Sequence, residues 1–149
     1  MEISFHVDGL KELLNKLEAL KDIENDPQIN KALGRGAARI QGAVKFLTPV
    51  DTGNLRNKIF LDNPERNVWT VTTNVEYAAY VEFGTGKLGD PAVPHTNKES
   101  WVYYSEKLQS FITSHGQPPA HMFTKGFAQK HKEAFNIVRV EVKEIIRNA

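Results

Sequence analysis

Thr48-Pro49-Val50-Asp51-Thr52-Gly53-Asn54-Leu55-Arg56 separates two kinds of pattern. Helical periodicity runs into this stretch and an alternating, extended pattern runs out of it. Pro49 lacks a backbone N–H and disfavours helical geometry at Thr48. Gly53 can take positive φ, and the short side chains of Asp51 and Thr52 bond backbone N–H groups just ahead of them. Pro49, Asp51, Thr52, Gly53 and Leu55 are therefore read as a structural hinge between a helix and a sheet.

Upstream, Ile3, Phe5 and Val7 alternate with polar residues, as in a short half-buried strand. Asp8 is placed to cap a helix whose apolar stripe is Leu10, Leu13, Leu14, Leu17, Leu20 and Ile23, opposite Lys11, Glu12, Lys16, Glu18 and Lys21. Asp26-Pro27 starts a second helix, Asp as N-cap and Pro in the first turn. Its stripe of Ile29, Leu33, Ala37, Ile40, Val44 and Leu47 reaches the hinge. Gly34, Gly36, Ala37 and Ala38 sit in its middle. Each glycine costs about 1 kcal/mol relative to alanine, so close packing should offset it. That packing is against the sheet or the first helix, or against a neighbouring subunit, which makes these four residues a candidate partner interface.

Downstream, Lys58 to Leu61 and Val68 to Thr73 read as strands joined by a turn at Asp62-Asn63-Pro64-Glu65. Asn74 is expected to cap a short helix, Val75 to Phe83, closed by Gly84 in the left-handed region. Tyr77, Tyr80 and Phe83 are expected to pack that helix on the sheet. Regular pattern is lost from Thr85 to Ser100, and a loop of that length is functional or disordered. Trp101 to Tyr104 and Phe111 to Thr113 read as partner strands. Pro119 opens a last helix; beyond Phe135 the pattern fits helix and strand equally.

The fold expected is one α+β domain over the 149 residues: an antiparallel sheet of three to five strands, packed by two N-terminal helices and a long C-terminal helix, with a long exposed loop. No apolar run is long enough to span a bilayer, and no signal-peptide core is evident. The chain has no cysteine, which excludes disulfides, thiolate ligands and a cysteine nucleophile. A formal net charge of +1 does not mark a polyanion binder.

No catalytic set, metal site or cofactor site emerges. The histidines His6, His95, His115, His121 and His131 form no ligand-spaced pair. Gly84-Thr85-Gly86-Lys87 lacks the full spacing of a phosphate loop and follows a helix. Glu76 and Glu82 carry no mark of a paired acid and base. A hydrolase using His115 or His121 with Asp51 ranks last among the readings, for want of a nucleophile. A nucleic-acid-binding module ranks above it: Lys125, Lys130, Lys132, Arg139, Lys143 and Arg147 gather late in the chain, and Trp101, Tyr103 and Tyr104 offer stacking surfaces.

Three segments together resemble one known family. They are Thr48-Pro-Val-Asp-Thr-Gly-Asn-Leu-Arg56, Tyr77-Ala-Ala-Tyr-Val-Glu-Phe-Gly-Thr-Gly86, and Gly116-Gln-Pro-Pro119 ahead of a terminal helix. Their order and spacing are similar to the head–tail joining or tail-completion family of long-tailed bacteriophages, and the likeness runs from the second helix to the last. The Arg-Pro-Phe-like segment usual after the Pro-Pro turn is replaced by Ala120-His121-Met122-Phe123, which keeps only the Phe.

The resemblance implies a non-catalytic, cofactor-free virion protein, assembled in the host cytoplasm. It would form a ring at the neck, contacting its own copies, the head connector or adaptor, and the tail terminator or tail tube, with weak contact to DNA in the lumen and none to membrane. Glu82 would pair with Arg56 or with a basic group on the next subunit. Thr85, Gly86, Lys87, Asp90 and His95 on the long loop complete the candidate interface with Gly34, Gly36, Ala37 and Ala38.

Overall fold

Two long antiparallel helices, α2 (Pro27–Leu47) and α5 (Met122–Asn148), carry the fold in the computed structural model, which describes residues 10–149. Asp26 caps α2 as its side chain predicts, Oδ1 accepting from the Gln28 N–H at 2.8 Å. The helices approach closely because glycines face the crossing. A Cβ on Gly126 of α5 would lie 2.9 Å from the Val44 backbone nitrogen, and one on Gly36 of α2 would lie 3.1 Å from the Ala134 carbonyl oxygen. At the far end the Arg35 guanidinium holds the Glu141 carboxylate at 2.7 and 2.8 Å from its Nε.

The hinge follows α2. The Thr48 hydroxyl donates to the Val44 carbonyl at 2.6 Å, ending the helix, and Gly53 turns the chain at φ 83°. One helical turn, α3 (Asn54–Asn57), buries Leu55 before strand β1 (Ile59–Glu65) pairs antiparallel with β2 (Val68–Thr73). This hairpin lies across α2: the Trp69 ring covers Gly34, where a Cβ would be 2.9 Å away, and Trp69 Nε1 donates to the Asn30 carbonyl at 2.9 Å. Val44, Leu55, Ile59, Met122 and Ala78 of α4 (Ala78–Phe83) form the core, flanked by Ile40, Leu47, Val71, Val75, Val81 and Phe123. A second hairpin, β3 (Trp101–Ser105) with β4 (Ser110–Ser114), stands apart from the first.

Several expectations are corrected. No sheet of three to five strands exists among the described residues; there are two separate two-stranded hairpins. Strand β1 runs through Asp62-Asn63-Pro64-Glu65, expected as a turn, because a bulge there absorbs Pro64 and the reversal falls at Asn67, at φ 62°. The short helix begins at Ala78 rather than Val75, and Asn74 does not cap it. Gly84 takes φ 74° but ψ −177°, outside the left-handed helical region. The last helix starts at Met122, three residues past Pro119, and remains helical through Asn148, which resolves the ambiguity beyond Phe135. The first helix, α1 (Leu10–Leu20), has no extensive contact with any other described element, so it does not pack the sheet. The strand expected at residues 3–7 and the cap at Asp8 lie outside the described residues.

Candidate functional site

The second and third sequence segments meet where α4 ends and α5 begins, and each caps the other. A helix of six residues leaves most of its terminal backbone groups without partners inside the helix. The C-terminal carbonyls of α4 find them across the junction. Gln117 Nε2 donates to the Tyr80 carbonyl at 2.7 Å, the Ala120 N–H to Val81 at 2.9 Å, and the His121 N–H to Glu82 at 3.0 Å. The Asp90 N–H donates to the Phe83 carbonyl at 2.7 Å.

The reverse service comes from Glu82. At the N-cap of α5 stands His121, in the left-handed region at φ 50° and ψ 41°, with no side-chain cap of its own. Glu82, 5% exposed, reaches across instead. One carboxylate oxygen accepts from the Phe123 N–H at 2.9 Å; the other accepts from the Thr124 N–H at 3.0 Å and the Thr124 hydroxyl at 2.7 Å. A buried carboxylate is tolerable where charge-assisted hydrogen bonds and a helix N-terminus offset its lost hydration.

The turn between them admits no side chain at Gly84. That residue sits in a region populated by glycine, and a Cβ would fall 2.6 Å from the Gln117 carbonyl oxygen and 2.8 Å from the Pro119 nitrogen. Thr85 and Gln117 then pair as an antiparallel bridge, N–H to carbonyl at 2.9 and 3.2 Å.

Glu82 is thus neither paired with Arg56 nor available to a neighbour: burial and three donors on α5 occupy it. The packing expected of the tyrosines is also corrected. Ala78 and Val81 face the core, whereas Tyr77 and Tyr80 are 44% and 61% exposed, and Phe83 is half-buried. The tyrosines line a groove beneath the inner face of the β3–β4 hairpin, with Trp101 and Tyr103 opposite. Tyr77 also accepts, at its hydroxyl, from Asn54 Nδ2 at 3.0 Å, which ties α4 to the hinge.

At the hinge, Pro49, Asp51 and Thr52 are exposed and Leu55 is buried. Asp51 pairs with Lys107, in the turn of the second hairpin, at 2.7 Å. His121 faces Asp90 at 3.6 Å while Asp51 faces Lys107, so the pairing of Asp51 with His121 that a hydrolase would use is not assembled. Of the α2 residues, Gly36 is buried under α5, Gly34 lies under Trp69, Ala37 is half-buried and only Ala38 is exposed.

On the loop, Gly86 is buried beside Trp101, and Asp90 and His95 are half-buried. Lys87 is exposed and pairs with Glu99. The late basic residues are partly neutralised, with Lys130 on Glu133 and Arg147 on Glu144. No described helix is long and apolar enough to cross a membrane.

Residues 11–84 match the family described as "Bacteriophage HK97-gp10, putative tail-component". The chain belongs to this family of phage tail components. The match spans α1 to Gly84 and so takes in the hinge and α4. No curated protein and no solved structure matches the chain. Membership makes the protein a tail-related structural component of a phage, with the virion as its place. Sequence reading missed the reciprocal capping. Its traces were an acidic residue inside the apolar run Ala78-Ala-Tyr-Val-Glu-Phe83 and a last helix with no Ser, Thr, Asp or Asn at its N-cap.

Proposed function

We propose that this tail component is a ring-forming subunit that completes the tail where it meets the head. The observation that carries the reading is the chain's unspent surface. It exposes 11069 Å², whereas a compact monomer of 16.8 kDa exposes about 7,700 Å². The difference of about 3,400 Å² is of the size that obligate subunit contacts cover. Large apolar side chains contribute to it: Phe46 is 80% and Phe111 76% exposed. A subunit buried on two sides by its neighbours accounts for both, and contacts between unlike faces close into a ring where the rotation between subunits closes.

Two surfaces fit neighbours in that ring. On α2, Ala38 is exposed and continues at helical spacing through Gly42 and Phe46, so this strip replaces Gly34 and Gly36 as the contact. On the loop, Thr85 to Asp90 are anchored to the junction, whereas the outer part, residues 91–99, is mostly exposed and offers a surface to a neighbour or a partner on the head or tail side.

Trimming that outer part tests the reading. Replacing residues 92–99 by a short Gly-Ser link is expected to leave a folded protein, judged by unchanged circular dichroism and melting, that no longer completes infectious particles. A normal yield of infectious phage from the trimmed protein would remove the loop from the account.

A further inference from the structure

Two elements of this chain are incomplete alone. Helix α1 presents Leu13, Leu14 and Leu17 at 53–55% exposure, with no extensive contact to the rest of the described chain. An isolated helix of its length, 11 residues, is marginal in water, so the stripe needs a cover. The β3–β4 hairpin is the second. A lone two-stranded hairpin is likewise marginal. Its residues alternate between faces. Trp101 and Tyr103 turn inward over the α4 groove, and Val102, Tyr104, Phe111 and Thr113 form the outer face. Tyr104 and Phe111 meet edge to face at 5.3 Å, and Val102, Tyr104 and Phe111 are 63%, 52% and 76% exposed.

Building on the ring reading, we infer that the leucine face of α1 docks on the outer face of the β3–β4 hairpin of the next copy. The dimensions agree: 11 helical residues span about 16 Å and strands of five residues about 17 Å. Leucines against an aromatic and β-branched sheet face is the layer pairing by which a helix and a sheet ordinarily complete each other. The two faces differ, so each copy offers one and receives the other, which is the head-to-tail contact a ring requires. The surface surplus of about 3,400 Å² accommodates such a contact on both sides of each subunit.

The absence of cysteine permits a direct test. Leu17→Cys and Phe111→Cys, both at exposed positions, are produced together, and the particles they assemble are oxidised. The expected readout is a shift from the one-chain band to a two-chain band containing one of each variant, absent when Val50→Cys, 59% exposed, replaces Phe111→Cys. A ring of this chain in the particles without the mixed band overturns the docking and leaves the ring reading standing. A two-chain band made only of Leu17→Cys chains, or a band equally strong with Val50→Cys, also overturns it. Particles that lack a ring of this chain overturn both.

Discussion

Glu82 is the residue on which most of the second and third sequence segments converge. It serves two backbone N–H groups and one hydroxyl at the start of α5 while its own carbonyl is held by His121. Glu82→Ala leaves those donors without acceptors in a buried setting and is expected to lower stability by about 2–3 kcal/mol. Glu82→Gln keeps the shape and one acceptor oxygen and is expected to cost about 1 kcal/mol, because the neutral amide forms weaker bonds and brings an unwanted donor. Urea unfolding of the two variants checks the order; equal losses would mean that the charge alone, and not the shape and acceptor oxygen that the amide retains, matters there. A sequence shows Glu82 to be an acid in an apolar helix, but its partners lie more than forty residues away, and no local pattern encodes that distance.

At the level of elements, the α2–α5 pair explains why this chain tolerates glycines in helices. Gly126→Ala is expected to force α5 off the Val44 backbone and to destabilise by about 1–3 kcal/mol. Gly42 has nothing within 4 Å of its would-be Cβ, so Gly42→Ala should instead stabilise by about 0.4–1 kcal/mol. Thermal melts of the two single variants give the comparison, and shifts of the same sign would refute it.

The Arg35–Glu141 clamp closes the other end of the pair. Its hydrogen bond to Arg35 holds the Glu141 carboxyl below the ordinary 4.5. A carboxyl whose folded value is lowered adds stability above its unfolded value, and loses that contribution as pH falls through the lowered one. The gap in Tm between the protein and Glu141→Gln is therefore expected to be open at neutral pH and to close as pH falls well below 4.5; a gap constant with pH would rule the clamp out as its source.

Helices α1, α2 and the first half of α5 were legible because their apolar spacing repeats over successive turns, whereas beyond Phe135 an alternating pattern fitted a strand equally well; the Asp26-Pro27 start was legible because its chemistry is local. Strand pairing was half legible. Both hairpins follow from alternation and turns, but nothing local says that the hairpins do not join into one sheet. The turn placed at Asp62–Glu65 failed because a proline in an edge strand can be absorbed by a bulge. The hinge Gly53 was legible through its need for positive φ; the facing of Tyr77 and Tyr80 was not, since amphipathic aromatics suit a core and a contact surface alike.

For the whole molecule, the recurring theme is a small core beneath an unusually large exposed surface. The core rests on few fully buried side chains, Ile59, Met122 and Val44 being the largest, while leucines of α1, Phe46 of α2 and the outer aromatics of the second hairpin face water. The proposed ring would cover that surface with neighbouring copies, a reading that rests on the family match to a tail component. The most direct measurement is a reconstruction of the phage particle at the head–tail junction. A closed ring of this chain is expected there, with α1 of each copy lying on the second hairpin of the next. A particle in which the chain is absent from that junction, or is present there as isolated copies whose α1 touches no neighbour, would contradict it.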